Sequence, residues 1–278
     1  VVAYMFSKGN LEKVKQDFPW VTFIESREIR GFSENNNLAL RQARGRYCFV
    51  VNDDTYMDMP VIDEIVSTFE KLTGRVAIVS PNIKYPDGRP QYCGRNKATF
   101  WTFLASSVGI RHKDSQYKEK AGVFKTFNVM GAAFLIRTNV FKSVGWFDEY
   151  YFFCPEDIAL STTLIKLGYT CFVNGDVTLY HIQGGSSLSL MQTATEPVKG
   201  SISFYSGKSV FKKYVLATCY IVRSLVRALI WQLIYYIKKR EKAKIKYCVY
   251  MNVIAGLLSS KSPKELFIKY YMRIKGGE

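Results

Sequence analysis

Short apolar runs alternate with amphipathic stretches through the first part of the chain. "VVAYMF", "WVTFIE", "RYCFVV" and "RVAIVSP" read as strands, being rich in β-branched and aromatic residues. Between them, "NLEKVKQDF" reads as a helix capped by Asn10 and "SENNNLALRQARG" as one opened by Ser33 and closed by Gly45. "PVIDEIVSTFEKL" reads as a third, with Pro60 at its start. Strands separated by helices of this length predict an α/β fold, a mostly parallel sheet with helices on both faces. Ligands of such sheets bind beyond the carboxyl ends of the strands.

Residues 82–126 are richer in Gly, Pro, Lys and Tyr and read as irregular. "GAAFLIR" resumes as a strand, followed by a helix from Thr138. In "PEDIALSTTLIKLGY" the residues Leu160, Leu164 and Leu167 fall on one stripe of a helix that Gly168 stops. "TCFVNGDVTLYHIQGGSS" reads as two short strands ending in His181 and a glycine pair.

From Tyr214 the pattern changes. "YVLATCYIVRSLVRALIWQLIYYIKKR" is apolar and aromatic apart from Arg223, Arg227 and a few small polar residues, and closes on Lys238, Lys239 and Arg240. Two arginines near the middle of a membrane-crossing helix cost about 2.5–3.5 kcal/mol each. The pattern therefore suits a helix lying at a membrane interface better than a spanning one. Leu216, Tyr220 and Trp231 lie near the arginine side, which leaves a buried helix of a partner interface as the other reading.

Charge sharpens this division. The net charge is +16, but residues 201–278 hold 16 Lys and Arg against 3 Asp and Glu. Residues 1–200 hold 23 against 20. Two regions follow, an α/β domain over 1–200 and a basic, apolar helical region over 201–278. A basic tail of this kind seeks nucleic acid or an anionic membrane surface. Its aromatics are embedded among Leu, Ile and Val and no nucleic-acid motif accompanies them, so the expected partner is an anionic membrane surface and not nucleic acid. The six cysteines stand singly, which fits buried thiols in a reducing compartment.

Candidate chemistry begins at "FVVNDDT", where an apolar run ends in Asn52, Asp53 and Asp54. Neighbours in a strand point to opposite faces, so Asn52 and Asp54 share one face and Asp53 takes the other. Such an oxygen pair at a sheet edge suits a hard cation such as Mg2+ or Mn2+. A plain polar turn fits the same residues. His181, at the end of "VTLYH", reads as a structural histidine or as an imidazole ligand beside carboxylates. Glu156 and Asp157 open a helix, where carboxylates stabilise the dipole or, functionally, serve as a general base.

The order of "GFSENNNLALRQARGRYCFVVNDDT", "PNIKYPDGRPQYCGR", "MGAAFLIRTNVFKSVGWFDEYYFF", "PEDIALSTTLIKLGY" and "YHIQGGSS" resembles family 2 glycosyltransferases with the GT-A fold, in the bacterial rhamnosyltransferase-like branch. The likeness spans roughly Val1 to Ser187. It implies inverting transfer from a nucleotide-sugar donor, UDP- or dTDP-linked, to a hydroxyl of a glycan or lipid-linked acceptor in surface polysaccharide synthesis, with Mn2+ or Mg2+. It implies that Asp54, Asn52 and His181 form the metal site and that Asp157, with Glu156 beside it, is the catalytic base. Gly31, Asn37, Asn52, Asp53 and Gly131 are implied to contact the nucleotide sugar. The implied setting is cytoplasmic, peripheral on the inner face of the plasma membrane.

Three departures from the family pattern stand out. The chain starts at what resembles the family's second strand, so a first strand and helix are expected to be missing and donor binding to be weak. Ala3 stands where the family has an Asp, and Ala159 and Thr163 where it has an Asp and an Arg. These substitutions motivate the alternative of a catalytically degenerate member that binds a glycan, lipid or partner.

Overall fold

The computed structural model describes residues 2–4, 11–26, 28–97, 99–110, 116–117, 119–182, 191 and 193–276. In chain order it runs β1 (Val2–Tyr4), α1 (Leu11–Asp17), β2 (Phe23–Glu25), α2 (Phe32–Leu40), β3 (Tyr47–Val51), β4 (Thr55–Tyr56) and α3 (Val61–Lys71). Next come β5 (Val76–Lys84), β6 (Gly94–Arg95), α4 (Phe100–Ser107), β7 (Gln116–Tyr117), β8 (Val123–Thr126), β9 (Asn128–Val129) and β10 (Ala133–Arg137). The rest is α5 (Thr138–Ser143), α6 (Glu156–Lys166), β11 (Thr170–His181), α7 (Thr195–Ser206), α8 (Val210–Lys238), α9 (Glu241–Leu258) and α10 (Pro263–Gly276).

Contacts divide the chain into two compact units. One holds Val1–Lys97, Asp114–Glu149 and Glu156–Gln183; the other holds Ala98–Lys113, Tyr150–Pro155 and Gly184–Glu278.

The first unit carries the α/β fold. Its main sheet has the order β3-β10-β5-β11-β4, with β8 also on β11, while β1 and β2 pair in parallel as a separate small sheet. The sheet is mixed where a mostly parallel one was expected. β5 and β11 run parallel, but β10 enters antiparallel between β3 and β5, and β4 and β8 are antiparallel to β11. β9, which precedes β10 in the chain, pairs instead with β6 in a separate three-stranded sheet of order β7-β6-β9.

Alternation along the strands builds two cores. Cys48, Val50, Ile78, Phe134 and Ile136 face α5 and α6, whose Phe141, Leu160 and Leu164 are buried against them. Val79, Ala133 and Leu135 face α3 on the other side, with Val61, Ile65 and Phe69. The spacing of those α3 residues is the ordinary stripe of a helix packed on a sheet. Leu167 lies past the end of α6 and is exposed, so the expected leucine stripe stops at Leu164. Gly168, at φ +82, ends that helix in a conformation that costs a residue with a Cβ. Burial pushes the Cys93 thiol up to about 11 and that of Cys171 up to about 12, so both pack as uncharged hydrophobes.

Other boundaries shift for local reasons. Asn10 lies outside the described residues. α2 is opened by Gly31, whose N–H donates to Glu34, rather than by Ser33, and it ends at Leu40 well before Gly45. The stretch 82–126, expected to be irregular, contains the end of β5, short strands and α4. The two strands expected over "TCFVNGDVTLYH" are one, β11, with its register broken between Asn174 and Thr178. Gly175 sits at that break because a Cβ there would lie 1.6 Å from the Lys120 carbonyl oxygen.

The second unit is helical: α4 and α7 to α10. Phe103 stacks on Tyr205 and Tyr220, and Phe267 packs on Phe152 and Phe153. Lys199 donates to the carbonyls of Gly256 and Ser259 at the end of α9, where a cation complements the exposed acceptors. Glu196 is buried and accepts from the Phe153 N–H at 3.1 Å. Desolvation raises its pKa from 4.5 to about 8.

Candidate active site

The apolar run "YCFVV" is strand only to Val51. There Asn52 donates its N–H to the Ala132 carbonyl at 2.9 Å and the chain turns. The Thr55 hydroxyl donates to the Asn52 carbonyl at 2.7 Å, closing the turn, and the Asp54 carbonyl accepts from the Ile182 N–H at 2.9 Å. β4 then pairs with the end of β11, setting Thr55 opposite His181. A turn, not strand parity, therefore orients Asn52, Asp53 and Asp54. Asp53 is exposed upon it.

These bonds bring His181 to the two residues expected beside it. Its Nε2 lies 3.1 Å from Asp54 Oδ1 and 3.4 Å from Asn52 Nδ2. Behind the ring, Gln91 is buried, donates Nε2–H to the His181 carbonyl at 2.6 Å, and places Oε1 2.9 Å from Nδ1. With its amide nitrogen so engaged, Gln91 presents an acceptor to the ring. Nδ1 is thereby fixed as a donor, and Nε2 faces Asp54.

Asp54 Oδ1 is buried without a hydrogen-bond partner among the described residues. It lies within ion-pair distance of the imidazole but outside hydrogen-bonding geometry. Two lone-pair atoms 3.1 Å apart are an unfavourable pair unless a cation or a second proton lies between them. An imidazole fixed by an amide behind it and facing a carboxylate is a fitting donor set for a divalent ion. Asn52 presents its nitrogen here; as a ligand it would offer Oδ1 after the amide turns over. Among the described residues no cluster of three His, Cys, Asp or Glu side chains surrounds a point. An ion held here would need further ligands, which substrate oxygens and water could supply.

A second group lies at the same end of the sheet, tied to the first through the Asn52–Ala132 bond. Asp157 Oδ2 accepts from the Gly131 N–H at 3.2 Å, Oδ1 accepts from the Ile158 N–H at 2.7 Å, and Arg95 stands 3.8 Å from Oδ2. Glu156 is buried, and its Oε1 would lie 3.7 Å from a Cβ at Gly131. Expected as a catalytic partner, it lies beside Asp157 at the start of α6.

Gly31 and Asn37 are not part of either group. Gly31 caps α2. Asn37 is buried, donates Nδ2–H to the Phe147 carbonyl and to Glu149 at 2.9 Å each, and accepts from the Phe147 N–H at 3.1 Å. Its amide anchors α2 to the segment before α6. Gln91 and Arg95 were missed by the sequence reading. Both lie in "PNIKYPDGRPQYCGR", but Gln91 is 90 positions from its imidazole, beyond any local signal. A cavity of about 560 Å3 lies elsewhere, at the far end of β10, lined by Arg41, Arg46, Arg137, Lys142 and Trp146 among others. The convergent donors lie instead at the Asn52 edge.

Comparisons with known proteins identify the fold and the family. The mannosyltransferase PcManGT from Pyrobaculum calidifontis, solved with GDP-Man and Mn2+, superposes with a TM-score of 0.50 at 13% identity, covering 100% of this chain and 77% of that one. GalNAc-T7, solved with UDP, GalNAc and Mn2+, gives 0.53 at 15% identity, covering 94% and 51%. At these identities the likeness is one of fold, and the fold is GT-A. Residues 7–145, half of the chain, match the sequence profile of "Glycosyl transferase family 2", and the chain belongs to that family. The O-antigen biosynthesis protein RfbC of Myxococcus xanthus is 24% identical over 159 residues, which is 54% of this chain but 12% of that protein's length.

Proposed function

We propose that this chain transfers a sugar from a UDP- or dTDP-linked donor to a hydroxyl of a glycan or lipid-linked acceptor in bacterial surface polysaccharide synthesis, with inversion at the anomeric carbon. The carrying observation is Asp54 Oδ1, buried without a donor and facing the imidazole that Gln91 orients. Mn2+ or Mg2+ held by Asp54, His181 and Asn52 would supply charge neutralisation of the leaving diphosphate. Family membership and the Mn2+-bearing fold neighbours support that reading.

The chain's own residues account for the remaining chemistry. Asp157 takes the proton of the acceptor hydroxyl through the lone pairs left by its two backbone donors. The Gly131 and Ile158 N–H groups hold the carboxylate in one orientation, and preorganisation of that kind supplies much of the catalysis. Arg95 adds a half-buried positive charge beside it, where an anionic donor would approach. A second reading, binding without turnover, draws support from the backbone bonds to both Asp157 oxygens, together with Ala159 and Thr163 on the same helix.

Turnover across a panel of nucleotide sugars, with Mn2+ and with chelator, separates the two. The proposal expects transfer or donor hydrolysis that chelation abolishes. Tight donor binding by calorimetry with no turnover across the panel would favour the second reading.

A further inference from the structure

Helix α8 is built inside out. A helix on a water-soluble unit buries its apolar stripe and exposes its polar one. In α8 the buried positions include Leu216 but also Ser224 and Ala228, and Arg223 turns inward to donate to the carbonyls of Ser106 and Ser107 at 2.9 and 3.2 Å. Arg227 reaches to the Tyr250 hydroxyl on α9. Both arginines that broke the apolar pattern of the sequence are thus engaged by neighbouring helices of the unit.

The outward side carries Val222, Leu225, Val226, Leu229, Leu233 and Ile237, with Leu229 66% and Ile237 69% exposed. Steps of three and four residues keep these side chains on one stripe along a helix of about 43 Å. A continuous apolar face of this size marks a docking surface. Cations bracket it: Lys212 and Lys213 at one end, Lys238, Lys239, Arg240 and Lys242 at the other, all exposed. The region 201–278 carries 16 basic against 3 acidic residues.

We propose that this stripe docks on an anionic phospholipid surface, with α8 lying in the membrane plane, its leucines among the acyl chains and the flanking lysines on phosphate headgroups. An apolar patch for a protein partner would not require cations at both ends. A spanning arrangement would carry Arg223 and Arg227 into the hydrocarbon.

Flotation of the 278-residue chain with vesicles tests this independently of any sugar transfer. The wild-type protein is expected to float with phosphatidylglycerol-containing vesicles, less as salt rises, and poorly with phosphatidylcholine alone. Leu225→Glu, Leu229→Glu and Leu233→Glu combined should weaken binding at least about ten-fold with melting temperature unchanged, because these side chains are exposed. Leu167→Glu, an exposed leucine of the other unit, should leave it unaltered. Each of Lys238→Gln, Lys239→Gln and Lys242→Gln should cost about five-fold on anionic vesicles, from about 1 kcal/mol per charge. Two results would overturn the proposal. One is a triple variant that floats like wild type; the other is a wild type that ignores vesicles but forms a dimer that the triple variant dissolves.

Discussion

The sheet-bearing unit and the helical unit meet the same physical problem, a carboxyl oxygen withdrawn from water, in different ways. In the helical unit, Glu196 keeps its proton, since burial lifts its pKa to about 8. In the sheet-bearing unit, Asp157 is held by two backbone N–H groups with Arg95 nearby. Asp54 has neither answer, because Oδ1 is buried with no hydrogen-bond donor and the His181 Nε2 stands 3.1 Å away outside hydrogen-bonding geometry. Protonation and backbone donation are settled by the fold itself. The third case is open to a cation or a second proton between Asp54 and His181, and that is what marks it as a candidate ion site rather than a structural acid.

Each carboxyl can be used to break the comparison. The largest effect belongs to Asp157. If it removes the acceptor proton, Asp157→Asn keeps one oxygen to accept from the Ile158 N–H, loses the acceptor of the Gly131 N–H, and lowers kcat by about 10²–10⁴-fold. Donor affinity should change little, and a variant with near-wild-type kcat would demote Asp157 to a positioning residue. A smaller effect belongs to Glu196. Its folded pKa lies above its unfolded value of 4.5, so the native state binds a proton that the unfolded state has lost. The stability it contributes is present in full below pH 4.5 and is lost as pH rises to about 8. Melting temperature should therefore fall across that window in wild type and fall less steeply in Glu196→Gln, measured by calorimetry. Equal slopes would mean that Glu196 does not carry the proton.

Pattern alone made much of the fold legible, and the reasons it failed elsewhere are local. α3 and β3 were readable because a helix against a sheet and a strand between two cores impose periods of 3.6 and 2 on their apolar residues. α7 was not, because "TEPVKGSISFYS" contains Pro197 and Gly200, both poor helix formers. Packing decides there: a Cβ at Gly200 would lie 2.4 Å from the Cys154 carbonyl oxygen. α8 was readable as a helix but its orientation was not, since only the structure shows Arg223 turned inward. At the candidate site, Asn52, Asp54 and His181 were named from motif order, yet strand parity did not describe how they meet. Gln91 carried no signal, because an amide orients an imidazole only once β5 and β11 lie side by side.

The central claim is that Asp54 and His181 face each other across a divalent cation. Titration of Mn2+ into the protein with a nucleoside diphosphate present, followed by loss of the free-ion paramagnetic signal, tests it most directly. The account predicts one Mn2+ site in wild type, its loss in Asp54→Ala, and about 10–100-fold weaker binding in Gln91→Leu, whose imidazole is no longer oriented. Equal Mn2+ affinity in wild type and Asp54→Ala would contradict it.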